Sequence, residues 1–283
     1  MYIQLTPNTA QPYFPVTTAN YLNFIAQLKK LKYAASTMTT FCSALSYVNK
    51  ITHSQDPAKT FIVTKALEGD RKIKPTTDVR QPITLAILHS LIRAMPTILP
   101  EARAVTMYRA AFLIMFHAFL RVGEITVRAK GASMINVIKY KDCTFHTKQG
   151  QLDNMVVTIR NCKHHNNTDF HITIPAVNHP QCPVKVVWKY ASSTPHRHST
   201  LFHNANGSPL SRHQLDKILK TLFQAIGLSP AKYKTHSFRI GAATEAITSL
   251  SMSDSEVQHL GRWQSGAFRR YIRSPSFLKP SGR

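Results

Sequence analysis

The stretch YRAAFLIMFHAF, residues 108 to 119, is the most apolar in the chain. Tyr108, Phe112, Ile114, Met115, Phe116 and Phe119 recur through it at intervals that suit a helix. A helix this apolar must lie in an interior, so the segment predicts the element around which a domain is built. Charge follows at once, because Arg121 and Glu124 stand just beyond it. A guanidinium there is costly to bury unless something anionic meets it.

Upstream, Thr17 or Thr18 can cap a helix carrying Tyr21, Leu22, Phe24, Ile25 and Leu28, which ends at the basic cluster Lys29, Lys30 and Lys32. Ser36 or Thr37 opens a second helix through Phe41, Leu45, Tyr47 and Val48, and residues 59–68 predict a short third one. The string GDRKIKPTTDVRQP then offers Gly, two Pro and several charges without periodicity. It predicts a linker over about 69–82, separating a helical domain over 1–75 from a larger one over 82–283.

In the larger domain a helix is expected from Thr84 to about Ala94, followed by a break at Pro96 and Pro100 and then the core helix. Short β-rich runs at Ile135 to Ile138, Met155 to Ile159 and Phe170 to Ile174 predict a small antiparallel sheet. The last two runs flank the polar loop RNCKHHNNTD, and helical patterns return near 183–191, 211–226, 239–249, 253–260 and 265–273. The fold class expected is mainly α with a small antiparallel β-sheet.

A chain of 283 residues buries roughly 75% of its unfolded surface, enough for a core without staples. Its 36 Lys and Arg against 13 Asp and Glu give a net charge of +23, with +6 on residues 1–80 and +17 on the remainder. Such an excess implies a polyanionic partner. Because it is spread over folded segments and not held in a tail, it suits a protein that encloses nucleic acid. No stretch approaches the ~20 apolar residues of a membrane span, and the start MYIQLTPNTAQPYFP lacks a signal-peptide pattern, so an intracellular, soluble protein without a membrane partner is expected. Cys42, Cys143, Cys162 and Cys182 form no C-x-x-C pair and are read as reduced thiols. Cys162, His164, His165 and His171 cluster in sequence but match no standard zinc spacing, so no metal is expected.

Four separated stretches carry candidate chemical groups. HAFLRVGEIT holds Arg121 and Glu124, THSFRIGAAT holds His236 and Arg239 three apart, and HLGRWQSGAFRRYIRSP holds Arg262, Trp263 and Tyr271. The fourth is Lys163, in the loop between two β runs, with Lys139, Lys141 and Lys148 as nearby rivals. Each has a bland reading on its own. Arg121 could cap helix carbonyls or pair with Glu124, His236 could be a helix cap, and Tyr271 could complete an apolar stripe with Phe268 and Ile272.

Taken in this order, the strings resemble those of the tyrosine recombinases of the phage integrase superfamily. HSFRIGAAT and LGRWQSGAFRRYIR are most similar to the enzymes of eukaryotic DIRS-like retrotransposons and Cryptons. The resemblance spans residues 84 to 275, and the N-terminal helices look like a shortened core-binding domain. It implies that Arg121 and Arg239 bind the scissile phosphate, two forked guanidiniums matching its non-bridging oxygens. Tyr271 matches the nucleophile. A phenol is ordinarily ionised about one part in a thousand at pH 7, so it needs the neighbouring arginines and the base-like His236. Attack on phosphorus would leave a 3′-phosphotyrosine and a free 5′-hydroxyl, with Lys163 matching the lysine that protonates the departing oxygen. No nucleotide cofactor is implied, in keeping with the lack of a P-loop.

The sequence departs from the family pattern nine residues before the tyrosine, where many members carry His and some Trp but this chain has Arg262 with Trp263 beside it. Either could donate to the phosphate; Trp263 is favoured as the packing group under Tyr271 and Arg262 as a third phosphate donor, and Glu124 is read as structural. The resemblance further implies double-stranded DNA as partner, a homo-oligomer from dimer to tetramer on that DNA, a role in mobile-element integration and a nuclear location. Only 12 residues follow Tyr271, which leaves little for the helix that many members exchange between subunits. Two other readings share the chemistry or the fold: a type IB topoisomerase, and a domesticated DNA-binding protein that has lost catalysis. The full set of Arg121, His236, Arg239 and Tyr271 argues against the latter.

Overall fold

A computed structural model describes residues 1–5, 14–53, 56–73, 78–129, 131–160, 168–193 and 200–273. The chain forms two compact units, Met1–Asp78 and Val79–Arg283.

The first unit contains α1 (Tyr2–Leu5), α2 (Thr18–Lys30), α3 (Ala35–His53) and α4 (Phe61–Ile73). Thr17 caps α2 by accepting from the Asn20 amide at 3.2 Å, and Tyr21, Phe24, Ile25 and Leu28 form its buried stripe. The Tyr21 hydroxyl donates to the Cys42 carbonyl at 3.0 Å, joining α2 to α3. Two expectations are corrected here. Helix α3 starts before Ser36, since the Met38 amide already donates to the Ala34 carbonyl. Helix α4 runs on through Gly69–Ile73, residues expected in the linker, because their charges serve tertiary contacts. Lys29 pairs with Asp70 at 2.7 Å, and Arg71 Nη2 donates to Thr39 Oγ1 at 3.1 Å.

The second unit opens with α5 (Leu85–Ile98), α6 (Ala102–His117) and the short α7 (Val122–Ile125). Linker assignments up to residue 82 are also corrected, since the Gln81 amide donates to Lys232 O and the Ile83 amide to Ser237 O, both within this unit. Helix α5 continues to Ile98 past the expected stop. Pro96 lies in its last turn, where its missing donor removes one bond while Leu88, Leu91, Ile92 and Met95 keep the buried face. Helix α6 is the core element, with Met107, Tyr108 and every residue from Ala110 to Phe116 buried.

Strands β1 (Cys143–Lys148), β2 (Gln151–Ile159) and β3 (Phe170–Pro175) form an antiparallel sheet in the order β1-β2-β3. Met155, Val157 and Ile159 alternate inward on β2, as do Phe170, Ile172 and Ile174 on β3. The β1–β2 turn has positive φ at both Gln149 (51°) and Gly150 (75°), the geometry of a tight two-residue hairpin. The run Ile135–Ile138 is not a strand: Val137 and Ile138 are buried, but the Ile138 amide donates to Glu124 O and its carbonyl accepts from Leu201. The first strand is instead CTFHTK, an edge strand with one buried position and little apolar alternation to announce it.

Helices α8 (Pro183–Ser192), α9 (Arg212–Ala225), α10 (Ser237–Thr248) and α11 (Asp254–Leu260) follow, then a 3₁₀ turn over Gly266–Tyr271 in place of the expected helix over 265–273. Helix α10 presses its backbone against residue 83, for a Cβ on Gly241 would lie 1.8 Å from Ile83 O. Among the described residues, no helix is long and apolar enough to cross a membrane. Cys42, Cys143 and Cys182 are buried free thiols, and Cys162 lies outside the described residues.

Candidate functional site

Two helix ends build the site, and both close in the same way. Helix α6 ends with the Leu120 amide donating to Met115 O and the Phe119 amide to Phe116 O; α11 ends with Trp263 donating to Gln258 O and Arg262 to His259 O. Each is a Schellman closure, in which the residue after the cap takes a left-handed conformation. Glycine normally fills that position. Here it is Phe119 (φ 50°) and Arg262 (φ 53°), at a cost of about 1–2 kcal/mol each. The left-handed turns aim the Phe119 carbonyl and the Arg262 side chain at one another, with Arg262 Nη2 donating to Phe119 O at 3.2 Å.

The same carbonyl accepts from Arg239 Nη1 at 2.6 Å, and Arg239 Nη2 donates to the Gly261 carbonyl. Arg239 sits in the first turn of α10, only 1% exposed, with His236 immediately before the helix and its carbonyl accepting from the Arg239 amide at 3.1 Å. Glu124 gathers the other two arginines. Its Oε2 accepts from Arg262 Nη2 at 2.8 Å and from the Arg121 amide at 2.7 Å, while Oε1 pairs with Arg121 Nη1 at 3.2 Å.

The arginines differ sharply in exposure: the Arg121 side chain keeps a third of its surface, whereas that of Arg262 has none. The sequence offers Arg262 or Trp263 as a further phosphate donor; the Arg262 side chain is buried and turned toward Glu124 and the Phe119 carbonyl. Around Arg239, three guanidiniums face a single carboxylate. Burial first, and then Arg121 and Arg262, push the Arg239 pKa down to about 9 against the opposing pull of Glu124 and Tyr271. A cluster with this surplus of positive charge is a trap for an anion.

Aromatic rings close it. Trp263 lies over the Arg239 guanidinium at 4.1 Å, and Tyr271 is 5.0 Å by ring centroid from both Trp263 and His236. Phe268, buried in the 3₁₀ turn, stands 6.1 Å from the Trp263 ring. The structure therefore brings together Arg121, His236, Arg239, Arg262, Trp263 and Tyr271. Lys163 lies outside the described residues, in the connection between β2 and β3. Of the four residues weighed as a metal cluster, Cys162, His164 and His165 also lie outside them, and His171 Nδ1 is 3.1 Å from Thr158 Oγ1.

Three contributors escaped the sequence reading. The Phe119 carbonyl had no signal, being main chain. Gly261 had one in its place before Arg262 and Trp263: a Cβ there would sit 1.5 Å from the Trp263 ring, so only glycine lets the indole fold back over Arg239. Thr244 lies in the string THSFRIGAAT, and its Oγ1 is bonded to the chain on either side of residue 272.

The mainly helical unit with its three-stranded sheet matches the fold of a tyrosine recombinase catalytic domain. Residues 138–275 match the phage integrase family, a span that includes His236, Arg239, Arg262, Trp263 and Tyr271, with Arg121 lying before it. Among solved structures, the chain is similar to the XerH site-specific recombinase bound to palindromic difH substrate, at 16% identity and a TM-score of 0.65 over 95% of this chain and 71% of that one. It is also similar to the Tn1549 transposon integrase in complex with circular intermediate DNA (13%, TM-score 0.58, 96% and 86% covered). A third likeness is to a lambda integrase dimer bound to a COC′ core site (17%, TM-score 0.57, 95% and 67% covered). At such identities these likenesses establish the fold. No curated protein sequence matches the chain.

Proposed function

We propose that the chain is a site-specific DNA recombinase that breaks and rejoins duplex DNA through a 3′-phosphotyrosine. The observation that carries this reading is the convergence of His236, Arg239 and Trp263 on the ring of Tyr271, beside the one-third-exposed Arg121.

In this reading Arg121 and Arg239 hold the two non-bridging oxygens of the scissile phosphate, and their charge stabilises the pentacoordinate transition state. The Tyr271 oxygen attacks phosphorus, giving its proton to His236, and the bond from phosphorus to the 5′-oxygen breaks. Lys163 supplies the proton that leaves with that oxygen as a 5′-hydroxyl. Reversal by a different 5′-hydroxyl completes strand exchange, and because the phosphodiester energy is kept in the tyrosyl ester, neither a metal nor ATP is required. Arg262 serves from behind, through Glu124 and the Phe119 carbonyl, and Trp263 covers Arg239 until phosphate takes its place. The helical unit over residues 1–78 acts as the core-binding domain.

The structural relatives include lambda integrase as a dimer and as a tetramer on DNA, which supports assembly of this chain on DNA in the same range. The strings HSFRIGAAT and LGRWQSGAFRRYIR support a role in integrating a DIRS-like or Crypton-like mobile element, acting in the nucleus. The test is incubation with nicked suicide DNA substrates. A covalent protein–DNA adduct mapped to Tyr271, absent in Tyr271→Phe while DNA affinity is retained, is the expected result. An adduct that persists in the Phe variant would move the nucleophile elsewhere, and no adduct in the wild type would favour a DNA-binding protein that has lost catalysis.

A further inference from the structure

The segment that holds Tyr271 is fastened to the helix that carries Arg239, and one side chain does the fastening. Thr244 lies on α10, 9% exposed, two turns beyond His236. Its hydroxyl oxygen accepts from the Arg273 amide at 3.1 Å, and its proton is shared between the Ile240 carbonyl at 2.8 Å and the Tyr271 carbonyl at 3.3 Å. The main chain is thus held two residues after Tyr271 and at Tyr271 itself. Ile272, between them, is 2% exposed and packs into the core. Gly266–Tyr271 is a 3₁₀ turn, a form with weaker internal hydrogen bonds than an α-helix. Its own bonds therefore fix the nucleophile less well than a full helix would.

We infer that Thr244 is a positioning residue for Tyr271: its hydroxyl sets the distance of the phenol from His236 and Arg239 by tying residues 271 and 273 to the helix that carries Arg239 and is capped by His236. Thr244 touches no reacting atom. Its action is geometric, and small displacements of a nucleophile from its line of attack reduce rate steeply. Valine has the same shape without the hydroxyl, whereas serine keeps the hydroxyl and loses a methyl. The inference rests on the assignment of Tyr271 as nucleophile, so the experiment has one arm that depends on that assignment and one that does not.

In the first arm, amide hydrogen exchange is followed in the full chain. Thr244→Val is expected to expose the Arg273 amide while the amides of α10 keep their protection, and Thr244→Ser is expected to restore it. In the second, single-turnover adduct formation on suicide DNA is expected to slow about tenfold or more in Thr244→Val and to recover in Thr244→Ser, at unchanged DNA affinity. A Val variant with wild-type adduct rate, or with a fully protected Arg273 amide, would overturn the inference. If the wild type itself forms no adduct, it is the recombinase reading that fails, and the exchange arm still decides whether Thr244 holds the segment.

Discussion

Trp263 and Gly261 occupy one volume between them: the indole lies where the glycine's side chain would be, 4.1 Å above the Arg239 guanidinium. Arg239 is nearly inaccessible in consequence. In the proposed reaction the indole would have to move to admit phosphate to it. The chain has two tryptophans, so Trp188→Phe leaves Trp263 as the sole emitter. In that background, Gly261→Ala is expected to drive the ring outward, shifting emission to longer wavelength and reducing adduct formation. DNA should produce a shift of the same sign in the parent. Unchanged emission in both cases would mean that the ring is not displaced.

Arg121→Lys and Arg239→Lys are expected to slow cleavage by roughly 100-fold or more, as when one preorganised donor to a transition state is removed. Lysine keeps the charge but loses the fork that can meet two oxygens at once. Cleavage at the wild-type rate in both variants would dismiss the clamp.

Arg262 should behave differently. Its side chain is fully buried against Glu124, and breaking a buried ion pair by removing one partner costs about 3–5 kcal/mol. Glu124→Gln and Arg262→Met are each expected to lower the thermal midpoint. The double variant should lose less than the sum, because neither charge is then left alone. Additive losses in calorimetry would show that the pair is not coupled.

Lys163→Ala should be bypassed by DNA whose bridging 5′-oxygen is replaced by sulfur, since a thiolate leaves without a proton. If the sulfur substrate reacts no faster than the normal one in this variant, the proton comes from another group, with Lys148 or His165 next in line.

His117 closes α6 beside Phe116, and its pKa is pushed down to about 4 by burial and, secondarily, by His89. The unfolded chain would bind a proton there near pH 6.5, while the folded chain resists until about pH 4. Stability is therefore full above pH 6.5 and lost progressively as the pH falls through that window. A His117→Gln variant should show a flatter dependence of its thermal midpoint between pH 7 and pH 4. An unchanged slope would place the acid sensitivity elsewhere.

Much of this was legible in the chain itself, for identifiable reasons. Thr17, Tyr21, Phe24, Ile25 and Leu28 announce α2 because cap and stripe are local, and the same holds for Met155–Ile159 and Phe170–Ile174. The edge strand β1 was missed because a strand with one buried position carries almost no pattern, and Ile135–Ile138 misled because buried apolar residues in a loop look like a strand. The site divides in the same way. Arg121, His236, Arg239 and Tyr271 stand in recognisable strings, but the Glu124–Arg262 pair joins residues 138 positions apart and no local rule connects them. That separation is also why the sequence alone leaves Arg262 and Trp263 as alternatives beside the phosphate and gives no sign of the Glu124 partner that the left-handed backbone at Arg262 allows.

One main-chain atom, the Phe119 oxygen, is the common anchor of Arg239 and Arg262. It exists in that position only when α6 has wound to its last turn and reversed. A chain with its core helix frayed by one turn would carry every reactive side chain and still have no charge trap. Assembly of the cation cluster is thus tied to completion of the core helix, and a copy misfolded there presents its arginines singly.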